Sequence, residues 1–124
     1  MKMGQRQIGS GIWRYDMREK DVEKLLTEEV KHLGGRAYKW TSPGNAGVPD
    51  RIVIFPGRQP MFVELKTDKG TLSALQDVQI KRLLDLGQEV QVVYGASGLV
   101  RFFKSLGYPD VAARIEKKCG LSGR

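Results

Sequence analysis

Asp50, Glu64 and Lys66 are the residues in this 124-residue chain whose types and spacing can do chemistry together. Glu64-Leu65-Lys66 ends an apolar, strand-like run. Alternate residues of a strand share a face, so Glu64 and Lys66 project together with Phe62, while Val63 and Leu65 point into the core. Asp50 stands at the mouth of the preceding strand. A hairpin can bring it beside Glu64, although the fourteen-residue gap alone does not fix the register. Two carboxylates and an ammonium at a sheet end suit metal-assisted phosphodiester hydrolysis. Asp50 and Glu64 offer hard oxygens to Mg²⁺ or Mn²⁺, and the Leu65 carbonyl is a further oxygen. Lys66 can orient an attacking water, help lower its pKa, or neutralise charge on the transition state. Glu-x-Lys is common on solvated strand faces, so spacing by itself is a weak signal. Placing both charges among apolar neighbours is costly without a purpose, and that favours chemistry.

The elements that must hold these residues follow from periodicity. Asp16 and Glu19 fit a capping box, and Val22, Leu25, Leu26, Val30 and Leu33 recur at helical spacing up to Gly34-Gly35. Residues 36–41 read as a short strand and 42–49 (SPGNAGVP) as a loop. Two strands, 51–55 and 60–66, form a hairpin through Pro56-Gly57, and 67–71 is a polar loop. A helix over 73–86 and a strand over 89–94 come next. Residues 95–98 read as a loop, 100–106 as helical, and Pro109 opens a last short helix. Nearly continuous apolar strands imply burial on both faces, hence an α/β fold with a mixed sheet between helices.

Composition bounds the rest. The length suits one domain over residues 1–124, with 1–15 as a flexible arm or a strand lent to a partner subunit. Twenty-one Lys and Arg against fourteen Asp and Glu give a net charge of +7, which points to a polyanionic partner. The excess is uneven: residues 101–124 hold six basic and two acidic groups, whereas the chemically suggestive middle is nearly neutral. One cysteine excludes an intrachain disulfide and a thiolate zinc site, and one histidine leaves no obvious Cys/His or Ser/His constellation. No apolar run approaches the roughly 20 residues of a membrane-spanning helix. With no signal-peptide core near the start, the chain reads as cytoplasmic.

Gly-x-Pro-Asp-Arg (47–51), Val-Glu-Leu-Lys (63–66) and Leu-Ser-x-x-Gln (72–76) together resemble the VRR-NUC family, the virus-type replication-repair nucleases of the PD-(D/E)xK superfamily. The likeness runs from about Arg18 to Gly95. It implies a restriction-endonuclease-like αβββαβ core and Mg²⁺- or Mn²⁺-dependent DNA cleavage. Compact members come from phages and bacteria and resemble Holliday-junction resolvases that act as homodimers on branched DNA. Carried onto this chain, the resemblance makes Asp50 and Glu64 metal ligands, Lys66 the catalytic lysine and Gln76 a site residue on the second helix. It also implies a first-helix glutamate near the metal, often through water. Glu19 matches best, Glu23 is a close rival, and Glu29 also lies near the apolar edge.

Further residues have weaker claims on DNA. Lys39 and Ser42 can reach phosphate just before the loop, and Asn45 lies within it. Arg51 can bridge to a carboxylate or a phosphate. Lys69 sits in the loop before the second helix. Arg114, Lys117, Lys118 and Arg124 form a basic flank. Trp13, Tyr15, Tyr38 and Trp40 can stack on bases, with a core or interface role favoured. His32 reads as a surface residue. The competing functions are a less selective flap, nick or single-strand nuclease and a non-catalytic nucleic-acid-binding module.

Overall fold

The computed structural model describes residues 4–8 and 12–121. Two short strands, β1 (Gly4–Ile8) and β2 (Ile12–Asp16), pair antiparallel in a two-stranded sheet of their own. The side chains of Trp13 and Tyr15, and all of Arg124, lie outside the described residues.

Helix α1 (Glu19–His32) begins later than the sequence suggests. Asp16 closes the β1–β2 ladder opposite Gly4 and is therefore not a cap. Arg18 takes the cap position, and Asp21 accepts from its backbone N–H at 3.2 Å and its guanidinium at 3.1 Å. Val22, Leu25, Leu26 and Val30 form the buried stripe of α1.

Strands β3 (Arg36–Lys39), β4 (Arg51–Ile54), β5 (Met61–Lys66) and β6 (Val90–Tyr94) form one sheet in that order. β3–β4 and β4–β5 are antiparallel, and β5–β6 is parallel. The parallel pair requires a crossover, which α2 (Ala74–Asp85) supplies. Helices α3 (Gly95–Ser105) and α4 (Pro109–Lys118) complete the chain. Val53, Val63, Leu65 and Val93 point to the face covered by α1 and α3, and join Leu99, Phe103 and Ile115 in one core. The opposite face of β5 carries Glu64 toward α2. The expected α/β architecture, a mixed sheet between helices, is the one observed.

The expected loop at 95–98 is instead the first turn of α3. A Gly- and Ser-containing stretch looks like a connector, yet Gly95, Ala96, Gly98 and Leu99 are buried. Gly95 has φ +61°, and a Cβ there would collide with the Asp68 carboxyl group. Small residues let the helix start against the strand it follows.

Candidate active site

Register alone brings the two acids together. Arg51 lies opposite Val63 and Ile52 opposite Phe62, so one step further Asp50 and Glu64 share a face. Asp50 is anchored on both sides. Its carbonyl accepts from Trp40 N–H at 2.9 Å, and its Oδ2 accepts from Leu65 N–H at 2.9 Å. Its carboxylate thus takes up a backbone donor of β5 at the strand mouth. Burial pushes the Asp50 carboxyl upward, opposed by the Leu65 hydrogen bond.

Glu64 is 1% exposed. Its Oε2 accepts from Gln76 Nε2 at 2.9 Å and lies 3.5 Å from Lys66 Nζ. Its Oε1 is buried and has no hydrogen-bond partner among the described residues. Burial first, and the Asp50 charge second, push Glu64 up to about 7, against the pull of Lys66. Lys66, with its side chain 13% exposed, follows Glu64 on the same face.

Helix α2 meets the site through its first turn. Ser73 is the cap: its Oγ accepts from Gln76 N–H at 3.1 Å, and Gln76 Oε1 accepts from Ser73 N–H at 2.9 Å. The loop leading to Asp50 lies against that turn. Gly47 has φ +91°, and a Cβ there would fall under 3 Å from the backbone of Leu75 and Gln76. Gln79 Nε2 adds a 3.3 Å bond to the Ala46 carbonyl.

The two first-helix glutamates are placed differently. Glu23 Oε1 accepts from Arg51 Nε at 2.8 Å and lies 2.6 Å from its terminal nitrogen, while Arg51 also donates to the Ala37 carbonyl at 3.0 Å. Of the two, Glu23 is the one whose charge raises Asp50 and Glu19 the one whose charge raises Glu64. Glu19 is exposed at the helix start. Glu29 is buried far along α1 and paired with Arg114 of α4 at 2.5 Å.

Lys39 is exposed at the end of β3 and borders a cleft of about 400 Å³ that also touches Lys20, Lys24 and Arg51. Ser42 accepts from the Asn45 side chain at 3.0 Å, so the two brace the loop between β3 and β4. Trp40 packs at a tilt against Phe62 with ring centroids 5.1 Å apart, and Tyr38 is 55% exposed. Lys69, Lys117, Lys118 and His32 are exposed. Arg51 bridges to a carboxylate as expected, and its partner is Glu23, 28 residues away. Two features escape a reading of the chain for chemistry. Lys20 and Lys24 are visible as an i, i+4 pair on α1. Ser73 is visible as the start of a Ser-x-x-Gln capping box.

Asp50 and Glu64 are the pair that can hold a divalent cation. A hard cation would give Glu64 Oε1 a partner and offset the repulsion between the acids. No group of three or more His, Cys, Asp or Glu that could hold a metal occurs among the described residues. Mg²⁺ needs only one or two carboxylates because it keeps several waters. The residues present therefore fit a sparsely ligated Mg²⁺ or Mn²⁺.

A mixed sheet whose adjacent strands bring an Asp to a Glu-x-Lys is the restriction-endonuclease-like class. The comparisons agree. The chain is similar to a solved structure described as "VRR_NUC domain", with a TM-score of 0.57 and 27% identity over 79% of this chain and 94% of that one. It is also 43% identical over 77 residues to "Putative nuclease p44" of Acyrthosiphon pisum secondary endosymbiont phage 1, covering 62% of this chain and 83% of that protein. No family model matches. The chain belongs to the VRR-NUC family.

Proposed function

We propose that this chain is a Mg²⁺- or Mn²⁺-dependent endodeoxyribonuclease selective for branched DNA such as Holliday junctions, acting as a homodimer. The observation that carries the reading is the convergence of Asp50, Glu64 and Lys66, with one Glu64 oxygen buried and unpartnered. When bound, the cation supplies Lewis-acid polarisation of the phosphate and a more acidic water. Asp50 and Glu64 would hold it, with the Leu65 carbonyl and a water-mediated Glu19 as further oxygens. Lys66, fixed beside Glu64, would orient the attacking water and offset charge on the phosphate. The net charge of +7 supports a polyanionic substrate.

Selectivity for a four-way junction would follow from symmetry. Two opposed strands meet two active sites if two copies pair about a two-fold axis. No helix among the described residues is long and apolar enough to cross a membrane.

The test is a substrate panel of junction, flap, nicked, duplex and single-stranded DNA, each with Mg²⁺ and with Mn²⁺. Preferential junction cutting supports the full reading. Equal cutting of flaps and single strands replaces it with a less selective nuclease. Binding without cutting leaves a nucleic-acid-binding module. Sedimentation of the active protein checks the homodimer, and a monomer that still resolves junctions contradicts it.

A further inference from the structure

We infer that Ser73 is a positioning residue of this site, acting through Gln76 to decide which oxygen of Glu64 is left for the metal. The inference rests on the nuclease reading. A glutamine amide has a donor end and an acceptor end, and it can be turned either way round. In this structure the acceptor end is occupied, because Gln76 Oε1 accepts from Ser73 N–H at 2.9 Å. Ser73 Oγ holds the same turn from the other side by accepting from Gln76 N–H at 3.1 Å.

With the carbonyl end engaged, the NH₂ end must face Glu64, and it donates to Oε2 at 2.9 Å. A flipped amide would set oxygen against carboxylate oxygen and NH₂ against N–H, so both contacts would be lost together. Oε2 is thereby held, and Oε1 is the oxygen left without a partner. Ser73 touches neither substrate nor cation in this account. It sets the orientation of a residue that sets the orientation of a ligand. Such outer contacts typically change metal affinity or activity 10–100-fold.

The experiment measures Mn²⁺ binding to the full chain by titration calorimetry, beside junction cleavage. Ser73→Ala keeps the N–H that engages Gln76 Oε1 but removes the Oγ that holds the turn in place, so it should weaken Mn²⁺ binding about tenfold and lower kcat, with KM for DNA unchanged. Ser73→Thr, which keeps a capping hydroxyl, should restore both. In a Gln76→Ala background, Ser73→Ala should weaken Mn²⁺ binding no further, since its effect passes through Gln76. A Ser73→Ala protein that binds Mn²⁺ like wild type, with only its melting temperature lowered, overturns the inference. So does an equal loss in both backgrounds. Wild type that neither binds Mn²⁺ nor cuts DNA overturns the nuclease reading and this inference with it.

Discussion

Gln76 Nε2 donates to Glu64 Oε2 across 2.9 Å, and this contact makes the two oxygens of Glu64 unequal. One is held by α2 and approached by Lys66 at 3.5 Å, and the other is buried without a partner. A carboxylate in that state is costly to ionise in the absence of a cation. Several consequences can be measured.

Replacing the Glu64 charge should disable the site while stabilising the apo fold. Glu64→Gln keeps the shape but removes a buried charge facing Asp50. At pH 8 urea unfolding should show a gain of about 1–3 kcal/mol over wild type, because a buried charge without full compensation is a net cost. Cleavage should fall to background while DNA binding is largely kept. A variant that is destabilised and still active contradicts the assignment.

The pH dependence has a definite sign. Glu64 in the fold titrates near 7, against an ordinary value of 4.5, so the folded state binds the extra proton between these limits. The part of apo stability that this group supplies is therefore fully present below about pH 4.5 and is lost as pH rises through about 7, by about 3 kcal/mol. The raised Asp50 adds in the same direction. Urea midpoints from pH 5 to pH 8 check it, and Glu64→Gln should flatten the slope. Mn²⁺ should stabilise the protein more at pH 8 than at pH 5.5, because only the ionised carboxylate binds a cation.

Arg51 is predicted to act through structure. Removing it by Arg51→Ala strips Glu23 of its partner and the Ala37 carbonyl of a donor. Both side chains of the pair are about four-fifths buried, with exposures of 18% and 21%. Urea unfolding should show a loss of about 2 kcal/mol. The double variant with Glu23→Ala should recover part of it, since no unpaired carboxylate then remains. Equal stability of the single variant and wild type would refute this role.

Gly47 should not tolerate a side chain. Gly47→Ala meets both a left-handed backbone and the backbone of Leu75 and Gln76. The expected loss is more than about 1 kcal/mol. Because this loop leads to Asp50, junction cleavage should drop further than stability alone explains. Cleavage rates taken well below the melting temperature separate the two effects.

Lys39 is exposed at the end of β3, beside a cleft lined by Lys20 and Lys24 and also by Glu23 and Glu28. If that cleft follows the DNA backbone, Lys39→Ala should weaken binding uniformly across sequences. The slope of log Kd against log salt should shrink by about one. An unchanged slope removes Lys39 from the interface.

Much of this arrangement was legible in the chain because it depends on local rules. Strand alternation put Glu64 and Lys66 on one face, and Pro109 marked the start of α4. The α/β order followed from periodicity. Other features depend on distant partners and left no local trace. Asp16 has a capping pattern, but pairing with Gly4 claims it for a strand. Residues 95–98 have loop composition, but their small size serves helix packing against β6. The Arg51–Glu23 and Arg114–Glu29 pairs join residues 28 and 85 positions apart, and only the folded register brings them together. The ordering of Glu19 and Glu23 needed the same register, since both lie one turn apart on α1.

The most direct test of the account is single-turnover cleavage of a four-way DNA junction in Mn²⁺, with wild type and Lys66→Ala side by side. Wild type should cut only with the metal present. Lys66→Ala should lose at least about a hundredfold, since removing one positioned transition-state donor typically costs about 10²–10³ in rate. Lys66→Ala cutting at the wild-type rate, or wild-type cleavage that persists after chelation of the metal, would contradict it.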